Sequence, residues 1–180
     1  MIRYAAFLRG IMPSNPNMRN DKLRGVFEGL GFDKVSALLS SGNVVFRTDE
    51  TDAAALETRI QQALTAELGI PGGTLLRTQD QLRALVDSDP FTGLTHGRET
   101  YLTVTFTRDP KAGMPKALSD AVGPTVTLLG YDKKAGALLS VIDNTDPSTT
   151  GFMAVIEKTY GKDITTRTFL TVQKALKKMD

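Results

Sequence analysis

Arg9, Gly10, Ser41, Gly42, Asn43, Thr166 and Arg167 are the residues of this sequence whose types and settings suit ligand chemistry. Arg9 ends the apolar run "YAAFL" and opens a loop crowded with Asn, Ser and Pro. Ser41, Gly42 and Asn43 form the "SSGN" turn between two strand-like runs, and Thr166 and Arg167 sit in "DITTRTFLTVQK". A guanidinium, several hydroxyls and amides, and a helix N-terminus at one spot suit an anion, phosphate or carboxylate. Glycines at 10 and 42 would let backbone amides approach such a group closely. Ordinary structural roles compete with this reading. "SSGN" is common hairpin chemistry, "PSNPN" is common loop and capping chemistry, and Arg9 could pair with a surface carboxylate. Thr165, Thr166 and Thr168 are candidate caps for a last helix, where the cation of Arg167 opposes the helix dipole. Either an anion offsets it, or its side chain reaches back to Asp163 or Glu157.

No catalytic constellation accompanies these residues. His96 is the only histidine and lies in the polar segment "THGRE", without a G-x-S-x-G nucleophile elbow. Zero cysteines exclude disulfides and thiolate catalysis, and one histidine leaves zinc without its usual ligands. "DNTD" at 143–146 lacks the spacing of an EF-hand loop and reads as a turn. Asp87 and Asp89 flank a turn before Pro90, with no partner in the sequence for acid–base work. P-loop and Rossmann fingerprints are absent, so neither a cofactor nor a metal is expected.

The elements that must position the candidate site follow from periodicity. An apolar run over 2–8 reads as a strand, and Leu23, Val26, Phe27 and Leu30 mark an amphipathic helix closed by Gly31. "KVSALLSS" and "NVVFRT" read as strands around the Ser-Gly turn. Leu56, Ile60, Leu64 and Leu68 mark a second helix, and "GTLLRT" a further strand. The order is β-α-β-β-α-β, and Thr78 with Gln81 forms a capping-box pattern for a helix over 79–86. In that arrangement the ends of the first two strands and the start of the third meet at one sheet edge. Arg9-Gly10, Ser40-Ser41 and Gly42-Asn43 occupy those places.

After the polar stretch 87–100 the order repeats. "YLTVTFT", a short helix over 115–122, "TVTLLG", a turn at 132–136 and "ALLSVI" come in turn. A helix over 151–160, a short strand near Ile164 and a helix from Phe169 complete the chain. The expected fold is α+β, with two tandem ferredoxin-like (βαββαβ-type) subdomains and an extra C-terminal helix. The first spans 1–88 with its connecting helix, and the second spans 89–180.

At 180 residues and 41% hydrophobic, the chain can bury a real core. It has no apolar run of membrane-spanning length, and "MIRYAAFLRG" is no secretory signal, so no membrane partner and a cytoplasmic location are expected. The net charge of +2 permits anionic partners without arguing for nucleic acid. RNA readout on such a sheet needs stacked aromatics. "SGNVVFRT" offers one Phe, and Tyr4 and Phe7 point to opposite faces.

The blocks "AAFLRGI…NMRNDKLRGVFEGLGFDKVSALLSSGNVVF" and "TTRTFLTVQKAL" resemble the bacterial domain of unknown function 1697 family (DUF1697). The resemblance runs from residue 4 to about 176. It implies a soluble bacterial α+β protein with two similar subdomains and no established activity. The family's "LRGIN" lies on Leu8 to Met12, its "SGNVVF" on Ser41 to Phe46, and its "TTRNWNTV" on Thr165 to Val172. Met12, Thr168 and Leu170 stand where the family usually has Asn, so a pocket built on those amides is less polar here. Three function readings stand open. They are a binder of a small anionic ligand at the first sheet's edge, an enzyme on a phosphorylated or nucleotide-like substrate there, and a nucleic-acid module.

Overall fold

Runs rich in aliphatic, aromatic and threonine residues build the strands, and apolar stripes at helical spacing build the helices that cover them. The computed structural model describes the backbone of all 180 residues and the side chains of all but Ser148 and Thr150. It is an α+β fold of two four-stranded antiparallel sheets and six α-helices among the described residues.

The first sheet contains β1 (Ile2–Leu8), β2 (Asp33–Leu38), β3 (Asn43–Thr48) and β4 (Thr74–Thr78), in the order β2-β3-β1-β4. Helices α1 (Asn20–Gly29) and α2 (Ala53–Leu68) supply the apolar layer. Leu23, Val26 and Phe27 of α1 and Leu56, Ile60 and Leu64 of α2 pack with Tyr4, Leu8, Phe46 and Leu76 of the sheet. Tyr4 stacks on Phe46 and Phe46 on Phe32, with ring centroids 5.6 and 4.5 Å apart. Helix α2 starts where Asp52 Oδ1 accepts from Ala55 N–H and stops at Gly69, whose φ of 69° needs no Cβ. The buried Glu57 of α2 accepts the Leu76 N–H at 3.0 Å, satisfying a donor on edge strand β4.

Helix α3 (Gln79–Asp87) follows directly from β4. The expected capping box is formed in both directions. Thr78 Oγ1 accepts from Gln81 N–H at 3.2 Å, and Gln81 Oε1 accepts from Thr78 N–H at 2.9 Å. Strand β2 is shorter than "KVSALLSS" suggested. It ends at Leu38 because Leu39 turns into positive φ (56°), and the carbonyl of Leu39 accepts from Asn20 Nδ2 instead of continuing a ladder.

The second sheet contains β5 (Tyr101–Thr107), β6 (Val126–Asp132), β7 (Ala137–Ile142) and β8 (Ile164–Thr168), in the order β6-β7-β5-β8. Helices α4 (Lys116–Ala121) and α5 (Phe152–Tyr160) cover it through Leu118, Phe152 and Ile156, and α6 (Phe169–Met179) follows β8. Position for position, β5 stands for β1, β7 for β3 and β8 for β4. Edge strands β2 and β6 each carry a bulge.

The chain divides into a unit of Met1–Leu82 with Gln173–Asp180 and a unit of Arg83–Val172. This division gives most of α6 to the first unit and the end of α3 to the second.

Candidate functional site

The first strand leaves the sheet between two glycine turns. Leu8 N–H donates to Gly42 O at 2.9 Å and Arg9 N–H to Gly73 O at 2.8 Å, while Phe7 lies opposite Asn43. Arg9, Gly10, Ser41, Gly42 and Asn43 therefore lie together at one end of the first sheet. Backbone pairing accounts for that placement before any ligand is considered.

Within this group the side chains divide. Asn43 is buried, and its Nδ2 donates to Leu38 O at 3.3 Å and Ser41 Oγ at 3.1 Å, so its amide braces the turn. Gly42 has φ of +83°, and a Cβ there would lie 2.5 Å from Ile11 Cγ1, so its lack of a side chain serves packing. Gly10, at φ +78°, faces solvent, as does Ser41, and Arg9 is half-buried and engaged by its surroundings.

A residue that composition and motif reading passed over proves necessary to this geometry. A Cβ on Gly72 would sit 1.8 Å from Arg9 O, an impossible approach to rigid backbone. "PGG" reads in sequence only as a helix stop after α2. The signal for its second role, two successive glycines facing the first strand's exit, exists only once the sheet is closed.

A hollow of about 490 Å³ opens beside this end, lined by Pro13, Met18, Arg19, Asn20, Asp21 and Ser40. Arg19 precedes α1 without capping it and pairs loosely with Asp21 at 3.7 Å. Asn20 Nδ2 donates to Leu39 O at 2.6 Å, tying the helix N-terminus to the turn. Met12 faces solvent, and its N–H meets Met18 Sδ at 3.2 Å.

Thr166 and Arg167 belong to the second unit, where the structure corrects their expected setting. They lie inside strand β8, not at a helix N-terminus, with Thr166 opposite Thr105 and Arg167 opposite Val104. Three threonines around one arginine favour extended backbone over a cap, because β-branched side chains fit a pleated sheet. Of the three threonines only Thr168 caps α6, its Oγ1 accepting from Thr171 N–H at 3.2 Å. Thr166 Oγ1 bonds Thr105 Oγ1 at 2.9 Å. Arg167 Nη1 donates to Thr165 Oγ1 at 2.7 Å and to Thr166 O at 2.9 Å, and desolvation by burial pulls its guanidinium pKa down to about 10. Asp163, one of the expected partners of Arg167, instead lies 3.4 Å from Arg108.

The other residues singled out for chemistry, His96 and "DNTD", have local partners. His96 Nδ1 accepts from Leu102 N–H at 3.2 Å, and its ring lies 4.6 Å from that of Tyr101. Asp143 Oδ1 accepts from Thr145 N–H at 2.9 Å, which makes "DNTD" a turn. No group of three or more metal-ligating side chains occurs among the described residues. Tyr4, Phe7 and Phe46 are buried, so the first sheet presents none of them for stacking on bases.

Comparison with known proteins agrees with the architecture. A family model described as "Protein of unknown function (DUF1697)" matches residues 1–125. The chain belongs to the DUF1697 family. The matched segment contains the Arg9 and Ser41–Asn43 motifs and ends before Thr166 and Arg167. The solved structure of a conserved bacterial protein from Streptococcus pneumoniae superposes with a TM-score of 0.69 at 19% identity, covering 99% of each chain. That likeness speaks for the fold. No curated protein matches. No described helix is long and apolar enough to cross a membrane.

Proposed function

We propose that this DUF1697 protein binds a small anionic ligand, phosphate- or carboxylate-bearing, where β1 leaves the first sheet. Arg9 supplies the charge, the backbone at Gly10 and the Ser41 hydroxyl supply hydrogen bonds, and Gly42 and Asn43 hold the turn in place. The observation that supports this reading is the convergence of Arg9 and the Ser41–Asn43 turn, set by the Leu8–Gly42 and Arg9–Gly73 hydrogen bonds. The N-terminus of α1, tied by Asn20 to the same turn, adds donor groups and a positive dipole end. The strand orders β2-β3-β1-β4 and β6-β7-β5-β8 support a tandem ferredoxin-like arrangement, in a protein working in the cytoplasm.

Thermal melting of the full chain with inorganic phosphate, AMP and citrate, on wild type and Arg9→Ala, tests the reading. A ligand at about 100 times its Kd adds about 2.7 kcal/mol, which at about 2–4 °C per kcal/mol is a shift of several degrees. The expected result is such a shift in wild type and its loss in Arg9→Ala. A shift that survives the substitution, or none with any of the three, returns these residues to turn formation alone.

A further inference from the structure

Arg3 and Arg47 stand directly opposite each other across the β1–β3 ladder. Like charges so placed repel, and the fold does not require them. The matching pair in the second sheet is Leu102 opposite Val141, in the same register between β5 and β7. Two further cations face the first pair. Lys34, held at φ +50° by the β2 bulge, and Lys178 of α6 join Arg3 and Arg47 around a niche of about 30 Å³. None of these four cations forms an ion pair among the described residues. Their one side-chain hydrogen bond is from Arg3 Nη1 to the neutral Gln79 Oε1, at 3.2 Å. Asp33 lies opposite Arg47 on β2, Asp80 lines the adjoining hollow, and Asp180 Oδ1 accepts from Gln79 Nε2 at 2.7 Å, yet none of the three closes on one of these four cations.

That adjoining hollow has a volume of about 560 Å³ and shares Arg3 and Arg47 with the niche. It adds Thr78 and Gln79, from the junction of β4 and α3, as neutral polar groups. A niche near the volume of one water molecule admits an oxyanion corner and no ring. The larger hollow has room for the rest of an organic molecule. Two guanidinium forks and two ammonium groups complement the several negative oxygens of a diphosphate better than those of one carboxylate.

We propose that Arg3, Arg47, Lys34 and Lys178 form a second anion site, at the opposite end of β1 from Arg9, that takes a diphosphate-bearing small molecule. The diphosphate lies between the two arginines, and the lysines close its outer side. The remainder of the ligand rests in the hollow against Gln79 and Thr78.

Calorimetric titration of pyrophosphate and ADP into the full chain at low ionic strength tests this site. Arg9→Ala, in which the first site has lost its charge, should still bind each compound at one saturable site. Arg47→Gln should weaken binding at least about tenfold, the scale of one lost charge-assisted hydrogen bond, and Lys178→Gln should weaken it by about two- to fivefold. Without ligand, Arg47→Gln should melt no lower than wild type, because it relieves a like-charge pair, and that melt also verifies its folding. Arg3→Gln should repeat both results. Absent binding of either compound overturns the proposal, as does equal binding by wild type and Arg47→Gln. Binding of a single-stranded oligonucleotide but of neither diphosphate overturns it in favour of a nucleic-acid surface. Loss of binding in Arg9→Ala with retention in Arg47→Gln overturns it in favour of the Arg9 end.

Discussion

The two sheets share one strand order and nearly one register, yet matched positions carry different chemistry. At the exit of the first strand in each sheet stands an arginine, Arg9 or Arg108. Each is preceded by a residue whose N–H donates to a glycine carbonyl, Gly42 or Gly136. Arg108 has Asp163 within 3.4 Å, whereas the matching position near Arg9 is Gly73. Arg77 of β4 and Arg167 of β8 also correspond, and each donates from Nη1 to the carbonyl of the residue before it, at 2.7 and 2.9 Å. In the core, the Tyr4–Phe46 stack is replaced by Thr103 opposite Ser140. A backbone plan therefore tolerates wide exchange of side chains so long as strand exits, turns and caps are kept. Chemistry that differs between matched positions is the better guide to function than chemistry that repeats.

The sharpest way to break this comparison is Gly72→Ala. Its Cβ would collide with Arg9 O, and backbone cannot yield as a side-chain tip can. A loss of more than about 3 kcal/mol is expected in urea unfolding, the range reserved for severe steric or packing faults. The matching residue in the second unit is Lys162, an exposed position, where Lys162→Ala should cost less than about 0.5 kcal/mol. Equal effects at the two positions would mean that the sheets leave β1 and β5 in different ways.

Next in size are the two helix caps. Thr78→Ala and Thr168→Ala each remove a hydroxyl that accepts from the N–H three residues on, at 3.2 Å in both. Each should cost about 1 kcal/mol, read from chemical denaturation. A negligible effect at Thr168 alone would show that α6 starts without the device that α3 uses.

The smallest effect concerns Ser140. Its hydroxyl is fully buried, makes no hydrogen bond among the described residues, and occupies the place that Phe46 fills in the first sheet. Ser140→Ala removes an unsatisfied polar group and should leave stability within about 0.5 kcal/mol of wild type or raise it. A clear loss would reveal a bonding role for that hydroxyl.

The architecture was legible where local signals agreed with one another. "YLTVTFT" alternates cleanly, "NVVFRT" is a short apolar run, and both are strands over the expected residues, while Thr78 with Gln81 caps as its spacing requires. Legibility failed where one residue type serves two roles. Thr165 and Thr166 suit both caps and strands, and pairing with β5 decided for the strand, which only the closed sheet could supply, while Thr168 ends that strand and caps α6. The candidate site was legible as a meeting of segments, since Arg9 and Asn43 do share a sheet end. The use of each side chain was not. Asn43 turned inward to brace its own turn, and the contact between Gly72 and Arg9 joins residues too far apart in sequence for any local pattern to register.

The helix ends carry a consequence for the order in which the molecule can be completed. Every strand of the first sheet lies within the first 78 residues, yet the unit also includes Gln173–Asp180, and Lys178 among them. On a ribosome those eight residues emerge only after the whole second sheet has been made. The first unit to be synthesised is therefore the last to be finished, and a nascent chain halted after α3 would hold a sheet still missing its closing helix.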